Sequence, residues 1–192
     1  MDALRLSTLR LIAECDTATE RAEEALAIAE QGGLSLLSIA LDRLTLARAA
    51  LYKTLLAADS QRAMEIPEPD QQAMAQAVEA LREAGTTHHL PRGLLTRSWF
   101  RTVTGDEAGA ETDLAEAWTI AEGGPMPLFQ ADILLTRARL FFPQDPAGAR
   151  ADLLKARQLI DEHGYHRRDG ELADAEAWLG RIGKEGARGG EE

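Results

Sequence analysis

The sequence is poor in the residues that mark several large protein classes. It holds one cysteine, Cys15, which has no partner for an internal disulfide, and aromatic residues make up only 5% of its 192 residues. No stretch approaches the ~18 uninterrupted apolar residues that a membrane helix needs. Charged residues interrupt the leucines of residues 1–12, so no secretion signal is visible. We therefore expect a cytoplasmic protein with no membrane partner.

Basic residues are also in the minority. The chain has 21 lysines and arginines against 32 aspartates and glutamates, which gives a net charge of −11. An acidic chain is disfavoured on a phosphate backbone, because binding there depends on basic side chains that displace counterions. We expect no nucleic-acid partner, and we attribute the acidity to solubility.

The motifs of catalysis and metal binding are missing as well. The sequence has neither a Gly-x-x-x-x-Gly-Lys-Ser/Thr phosphate loop nor a Gly-x-Ser-x-Gly nucleophile elbow. The histidine pairs, His88-His89 and His163 with His166, have no cysteine beside them to complete a zinc site. The expectation is a protein that is not an enzyme and that has no metal site and no cofactor.

The residues that are abundant favour helix. Alanine, leucine, glutamate and arginine dominate, and β-branched residues form no alternating runs, so the fold class is predicted to be all-α. Glycine and proline separate the amphipathic segments, because glycine suits the position after a helix end and proline suits the first turn. The predicted helices span residues 4–14, 17–30, 34–57, 71–83, 91–103, 107–122, 127–142, 146–162 and 169–179.

An internal repeat is the most informative feature of the chain. The nine residues from Asp106 to Leu114 match those from Asp145 to Leu153 at six positions, at an offset of 145 − 106 = 39. Within each copy and just after it, an alanine, a leucine and a second alanine are separated by four and three residues, which places them on one helix face. A single helical hairpin cannot bury such a face alone, so we expect the hairpins to stack. The residues in question are Ala110, Leu114 and Ala117 in one repeat and Ala149, Leu153 and Ala156 in the other.

This spacing, with Gly105 before the first copy and the glycine replaced in the second copy, which begins at Asp145, resembles the tetratricopeptide repeat. The resemblance implies antiparallel helical hairpins stacked as a right-handed superhelix. It covers residues 106–162 well and residues 16–85 loosely, where a non-repeat helical bundle is the alternative. The implied domain spans residues 1–182, with hairpins at about 4–31, 34–84, 90–123 and 127–163, a cap helix at 169–180 and a disordered tail at 183–192.

A narrower resemblance concerns segments 89–95, 137–140 and 159–168, which look like bacterial helical-repeat arrays. Such arrays form the C-terminal sensor of multidomain signalling NTPases. The resemblance implies, as an alternative function, a regulatory array that senses a small molecule.

A binding surface is predicted from repeated arginines. Arg97 and Arg137 occupy equivalent positions, and the tetratricopeptide resemblance implies that the first helix of each hairpin lines a concave face. Stacked arginines there suit a protein or peptide segment that carries carboxylates, bound by bidentate hydrogen bonds. The alternative is that they pair with carboxylates of the chain itself. The partner-binding candidates are Arg92, Arg97, Phe100, Arg101, Asp132, Thr136, Arg137 and Arg139.

Two further expectations concern apolar residues. Most aromatic residues of 99–142 are expected in the core, but Phe100 falls away from the apolar stripe of its helix, so we expect it in the groove or against a neighbouring repeat. The long helix at 34–57 is a candidate homodimer interface, as an alternative function, through Leu41, Leu44, Ala47 and Leu51.

Overall fold

The structure, a computed structural model, describes residues 3–57, 66–141 and 144–188, with side chains over 6–57, 66–141 and 144–181. Every regular element in these ranges is helical, which confirms the all-α class. None of the helices described there is both long and apolar enough to cross a membrane. The helices are α1 Ala3–Gln31, α2 Leu36–Ala57, α3 Glu68–Glu83, α4 Leu90–Val103, α5 Glu107–Gly123, α6 Pro127–Phe141, α7 Pro146–His163 and α8 Asp169–Arg188.

Contacts group the chain into two compact units, Met1–Asp113 and Leu114–Glu192. In the first unit α2 packs against α1 and α3, and α4 contacts both α2 and α3. In the second unit α6 packs against α7, and α8 contacts both of them. A 3-10 turn precedes the third helix in each case, at Thr87–His89 and at His166–Arg168. In each unit three consecutive helices therefore contact one another, while the predicted domain over residues 1–182 stays a prediction.

The first helix differs from the prediction. The sequence predicted two helices at 4–14 and 17–30 that pair as a hairpin, but α1 is one helix, Ala3–Gln31, that packs against α2. The hydroxyl of Thr17 donates to the carbonyl of Ala13 at 3.0 Å, and the hydroxyl of Thr19 donates to the carbonyl of Cys15 at 2.9 Å. Threonine hydroxyls that bond four residues back do not cap a new helix, so the chain passes through without a break.

Two other boundaries differ by three residues or more. Helix α3 begins at Glu68 rather than at residue 71, because Pro69 lies in the first turn, where a missing backbone donor costs no helical hydrogen bond. Helix α8 continues to Arg188, past the predicted end at 179 and into the predicted tail at 183–192. Of the predicted linker 62–70, residues 62–65 lie outside the described residues, as do Phe142 and residues 189–192.

The two copies of the repeat begin their helices in the same way. Asp106 Oδ1 accepts from the backbone N–H of Gly109 at 3.0 Å, and Asp145 Oδ1 accepts from that of Gly148 at 2.9 Å. A Cβ atom on either glycine would lie 2.1 Å from the capping carboxylate. The shared Asp-x-x-Gly is therefore an N-cap that needs glycine for space.

The predicted apolar face of the repeat is buried, since the paired alanines of α5 and of α7 are each at most 4% exposed. The prediction of a dimer interface on α2 is wrong for three of its four residues. Leu44, Ala47 and Leu51 are buried in the core of the first unit, where α2 packs between α1 and α3. A helix with neighbours on two sides has its apolar residues covered within the chain.

Replacing Asp145 by alanine is expected to lower the free energy of unfolding by about 1 kcal/mol, because Gly148 N–H loses its acceptor at the start of α7. The matched control is Asp145→Asn, whose side-chain oxygen still accepts, and it is expected to lose much less. Urea denaturation followed by far-UV circular dichroism measures both. Equal stability of the two variants would contradict the cap.

Candidate functional site

The repeated arginines are held by carboxylates of the chain. Arg97 Nε and Nη2 donate to Asp113 Oδ2 and Oδ1 at 2.9 and 2.7 Å. Asp113 is only 1% exposed, and Arg101 Nη1 lies 3.0 Å from its Oδ1. Arg101 also donates to the carbonyl oxygen of Gly109 at 2.7 Å, which ties α4 to the first turn of α5. Two guanidinium groups thus compensate one buried carboxylate within the first unit.

The equivalent pair recurs in the second unit. Arg137 Nε and Nη2 donate to Asp152 Oδ2 and Oδ1 at 2.6 and 2.5 Å. The hydrogen bond to Asp152 raises the pKa of Arg137, against the opposing effect of burial. The guanidinium of Arg137 lies 6.0 Å from the ring centroid of Trp118, and the ammonium of Lys155 lies 4.9 Å from it. Arg137 is half exposed, so this pair is more hydrated than the pair at Asp113.

A second ionic cluster joins α6 to α8. Arg168 Nε and Nη2 donate to Asp132 Oδ1 and Oδ2 at 2.7 and 3.0 Å, and the hydroxyl of Tyr165 donates to Asp132 Oδ2 at 3.1 Å. Arg168 Nη1 donates to Glu171 Oε2 at 2.6 Å, and Arg139 Nη1 donates to Glu171 Oε1 at 3.1 Å. Burial alone would lower the pKa of Arg168, but the hydrogen bond and charge of Asp132 outweigh it, so the pKa is raised. The cluster is a clamp between helices.

The remaining predicted groove residues also have roles inside the units. Thr136 is buried, and its hydroxyl donates to the carbonyl of Asp132 at 2.8 Å. The carbonyl of Arg92 accepts from the hydroxyl of Thr96 at 2.9 Å, and the Arg92 side chain is exposed. Phe100 is only 4% exposed, so of the two placements that the sequence left open the exposed groove is excluded, and packing against a neighbouring repeat stays a prediction. Helix α4 buries residues on several faces, so burial is not confined to the apolar stripe from which Phe100 falls away.

These placements divide the eight candidates between two networks. Four lie in the first unit and four in the second, and most of their polar groups bond within their own unit. Intramolecular pairing was the alternative to a groove that the sequence left open. A carboxylate-bearing partner would have to compete with a carboxylate that each of Arg97, Arg137 and Arg139 already binds.

A groove that the sequence did not predict lies between α7 and α8. Its two walls carry residues at i, i+3 and i+4, which share one helix face, and its volume is about 510 Å³. Leu154 is 63% exposed, while Leu153 and Leu179 are buried beneath it. The lining residues are Arg150, Leu153 and Leu154 on α7 and Glu176, Leu179 and Gly180 on α8.

Two residues make this groove apolar and open. Leu154 corresponds to Ala115 in the other copy of the repeat, at an offset of 154 − 115 = 39, so the large exposed side chain is a departure from the repeat. A Cβ atom on Gly180 would meet no heavy atom within 4 Å, so the helix backbone itself forms part of the floor. The replacement of alanine by leucine at position 154 is the sequence signal from which this surface could have been found.

One buried polar atom lies outside these networks. Within the part of the chain that the structure describes, His89 Nδ1 is buried without a hydrogen-bond partner, beside His88, whose ring centroid lies 4.3 Å from that of His89. Burial lowers the pKa of His89, and the charges of His88 and Arg92 lower it further. Among the described side chains, no group of three or more histidine, cysteine, aspartate or glutamate residues is placed to hold a metal ion.

Comparison with known proteins gives no relative: no protein-family model, no curated protein and no solved structure matches the chain. The function therefore has to be argued from the geometry of its own residues.

Loss of the buried Asp113 carboxylate is expected to lower the free energy of unfolding more than loss of the equivalent carboxylate, Asp152, in the second repeat. Asp113→Asn leaves Arg97 and Arg101 without their counter-ion in a buried setting and is expected to lower the free energy of unfolding by about 3 kcal/mol. Asp152→Asn removes the charge from a pair whose arginine is half exposed, and it is expected to lower the free energy of unfolding by about 1 kcal/mol. Urea denaturation of the two variants gives the comparison, and equal losses would refute the difference in environment.

Titration of His89 is expected to weaken the fold in mild acid. Because its pKa is lowered in the folded protein, the unfolded chain binds the proton more readily, and stability falls as the pH drops below about 6.5. His89→Gln removes this term, so the fall in melting temperature between about pH 7 and pH 5 should be smaller in the variant. His163→Gln, at an exposed histidine, is the control. An unchanged pH dependence in His89→Gln would argue against the assignment.

Proposed function

We propose that the chain is a non-catalytic protein-binding module, built as a tetratricopeptide-like superhelix of stacked hairpins. The repeated features support this architecture. The Asp-x-x-Gly cap, the buried alanine–leucine–alanine face and the bidentate arginine–aspartate pair each occur at corresponding positions of two repeats. Repeats that share a cap, a core face and a cross-helix bond stack in the same way.

The groove between α7 and α8 carries the proposal of a binding site. Two helices that present i, i+3 and i+4 positions to a shared channel form the receptor for an amphipathic helix or an apolar segment. The volume of about 510 Å³ lies within the range of small binding sites, from about 300 to 1,000 Å³. Leu154, exposed across the channel from Gly180, is the single observation on which the site depends.

The energetics of the groove favour an apolar anchor with a polar rim. Covering the exposed part of Leu154 contributes about 1–2 kcal/mol, which rewards an apolar side chain of the partner. Arg150 and Glu176 carry opposite charges at the groove. Such charges determine which partner binds and in which orientation, and they add little to the affinity. Gly180 permits close approach, because no side chain of its own fills the space above the backbone.

The groove replaces the arginine surface as the place to test binding. Charge reversal at Arg97 and Arg137 would break two intramolecular ion pairs, so a loss of binding in that double variant would also follow from a damaged fold. Variants at Leu154 and Gly180 avoid this difficulty, since neither side chain position is filled by neighbours.

Gly180→Leu is expected to abolish capture of the partner from native lysate while keeping the helix intact, because a Cβ atom at this position meets no described heavy atom within 4 Å and the longer side chain extends into the groove. Gly180→Ala is the matched control. It should keep binding, and it should stabilise the protein by about 0.5–1 kcal/mol, since alanine favours helix over glycine.

A charge placed in the groove gives an independent comparison. Leu154→Glu should lose the same captured protein, while Leu128→Glu, at an exposed leucine of α6, should retain it. Quantitative mass spectrometry compares each variant with the unmodified protein, and thermal denaturation checks that all of them fold. Equal recovery of captured proteins by Gly180→Leu, Leu154→Glu and their controls would overturn the groove as a binding site.

A further inference from the structure

Two turns of the chain correspond to each other in position and in structure. Gly85 and Gly164 each follow a helix and have positive φ angles of 67° and 64°, at an offset of 164 − 85 = 79 residues. The 3-10 turns Thr87–His89 and His166–Arg168 come next, at the same offset of 166 − 87 = 79, and lead directly into α4 and α8. The residues of the two turns can therefore be compared position by position.

The last residues of the two turns, His89 and Arg168, have opposite electrostatic surroundings. Arg168 is paired at 2.6 Å with Glu171, three residues further along the chain. The position equivalent to Glu171 in the first unit, 171 − 79 = 92, is Arg92. Burial is the largest cause that lowers the pKa of His89, and the charges of His88 and Arg92 add to it. A cation at the end of this turn is thus stabilised in the second unit and opposed in the first.

The ring of His89 suits only the neutral form. Its Nδ1 atom is buried and has no hydrogen-bond partner among the described residues, and its centroid lies 4.3 Å from that of His88. A neutral imidazole with its proton on Nε2 buries only a lone pair at Nδ1, whereas the protonated ring buries an N–H donor without an acceptor. Protonation therefore favours an arrangement in which water reaches Nδ1.

The helices beside the turn do not compensate a charge on His89. No carboxylate of the described residues is paired with it. The turn packs against α3 and α4, and the charges that act on the ring, those of His88 and Arg92, both oppose its protonation. The remaining charged groups on the adjoining parts of these helices are Glu79 and Arg82, which pair at 3.3 Å, the exposed Glu83, and Arg97, which binds Asp113.

We propose that the turn Thr87–His89 is an acid-sensitive latch at the start of α4, closed when His89 is neutral and opened locally when His89 is protonated. The direction follows from linkage. Because the closed turn lowers the pKa of His89, it binds the proton less readily than the open turn, and opening is favoured as the pH falls below about 6.5. The latch lies in the first unit and does not depend on the groove between α7 and α8.

Amide hydrogen exchange at single-residue resolution measures the opening, because a protected amide exchanges when its hydrogen bond is broken. The amides of His89 and Leu90 donate back to carbonyls at the start of the turn and so report on the latch. After correction for the intrinsic effect of pH on exchange, their opening equilibrium should rise between about pH 7 and pH 5, by up to about 25-fold if the closed ring takes up no proton. The amides of Arg168 and Asp169 in the equivalent turn are the internal control and should change much less.

A change of charge at Arg92 tests the comparison of the two turns. Arg92→Glu gives the first unit the arrangement that Arg168 and Glu171 have in the second, so a proton on His89 gains a carboxylate and the acid-induced rise should disappear or reverse. Arg92→Gln is the matched variant, which removes the cation without adding an anion. It should keep the rise in a reduced form, because burial still opposes protonation.

His89→Gln cannot take up the proton and should show no rise, while His166→Gln, at the exposed histidine of the equivalent turn, should leave the rise at His89 and Leu90 unchanged. Three results would overturn the latch. They are a rise of less than about twofold in the unmodified protein, an equal rise at Arg168 and Asp169, which would indicate opening of the whole fold, and a full rise retained in Arg92→Glu or His89→Gln.

Discussion

Close helix packing at alanine positions is the constraint from which the rest of each repeat follows. In α5 and α7 the two repeat alanines (Ala110 and Ala117, Ala149 and Ala156) lie on the same face as a single leucine, and all of these residues are buried. Asp113 and Asp152 each immediately precede that leucine, so they lie at the edge of the buried face. A carboxylate in that position is withdrawn from water and needs a cation beside it. Arg97 and Arg137 supply it in two parallel hydrogen bonds.

This requirement gives the recurrence of equivalent arginines a structural explanation. A repeat that brings a carboxylate to its seam must also bring an arginine, so the periodicity of arginine reflects the architecture. The environments of the two pairs differ all the same. Asp113 is enclosed and has two arginines, whereas the pair at Asp152 is half exposed and lies beside Trp118. The same arginine–aspartate pair is thus expected to contribute differently to the stability of the two repeats.

Much of the helical framework could be predicted from the sequence, and each failure has a physical cause. The repeat located α5 and α7 to within one residue, because cap, glycine and apolar spacing agree there. Helix α1 was divided in error, since threonine inside a helix bonds backward and leaves the same sequence signal as a cap. The sequence left the placement of Phe100 open because α4 has buried residues on more than one face, a fact of packing that the sequence of a single helix does not reveal.

The candidate site was missed for a related reason. Self-similarity draws attention to positions that agree between repeats, and those positions carry the cap, the core and the ion pair. A binding surface must remain uncovered by the neighbouring repeat. We therefore expect it at positions where the sequences of the repeats differ. At 115 and 154 one repeat has alanine and the other leucine, and at 111 and 150 glutamate is exchanged for arginine. Both differences line the α7/α8 groove. In this chain the identical positions carry the cap, the core and the ion pair, whereas these two differing positions line the groove that we propose as the binding site.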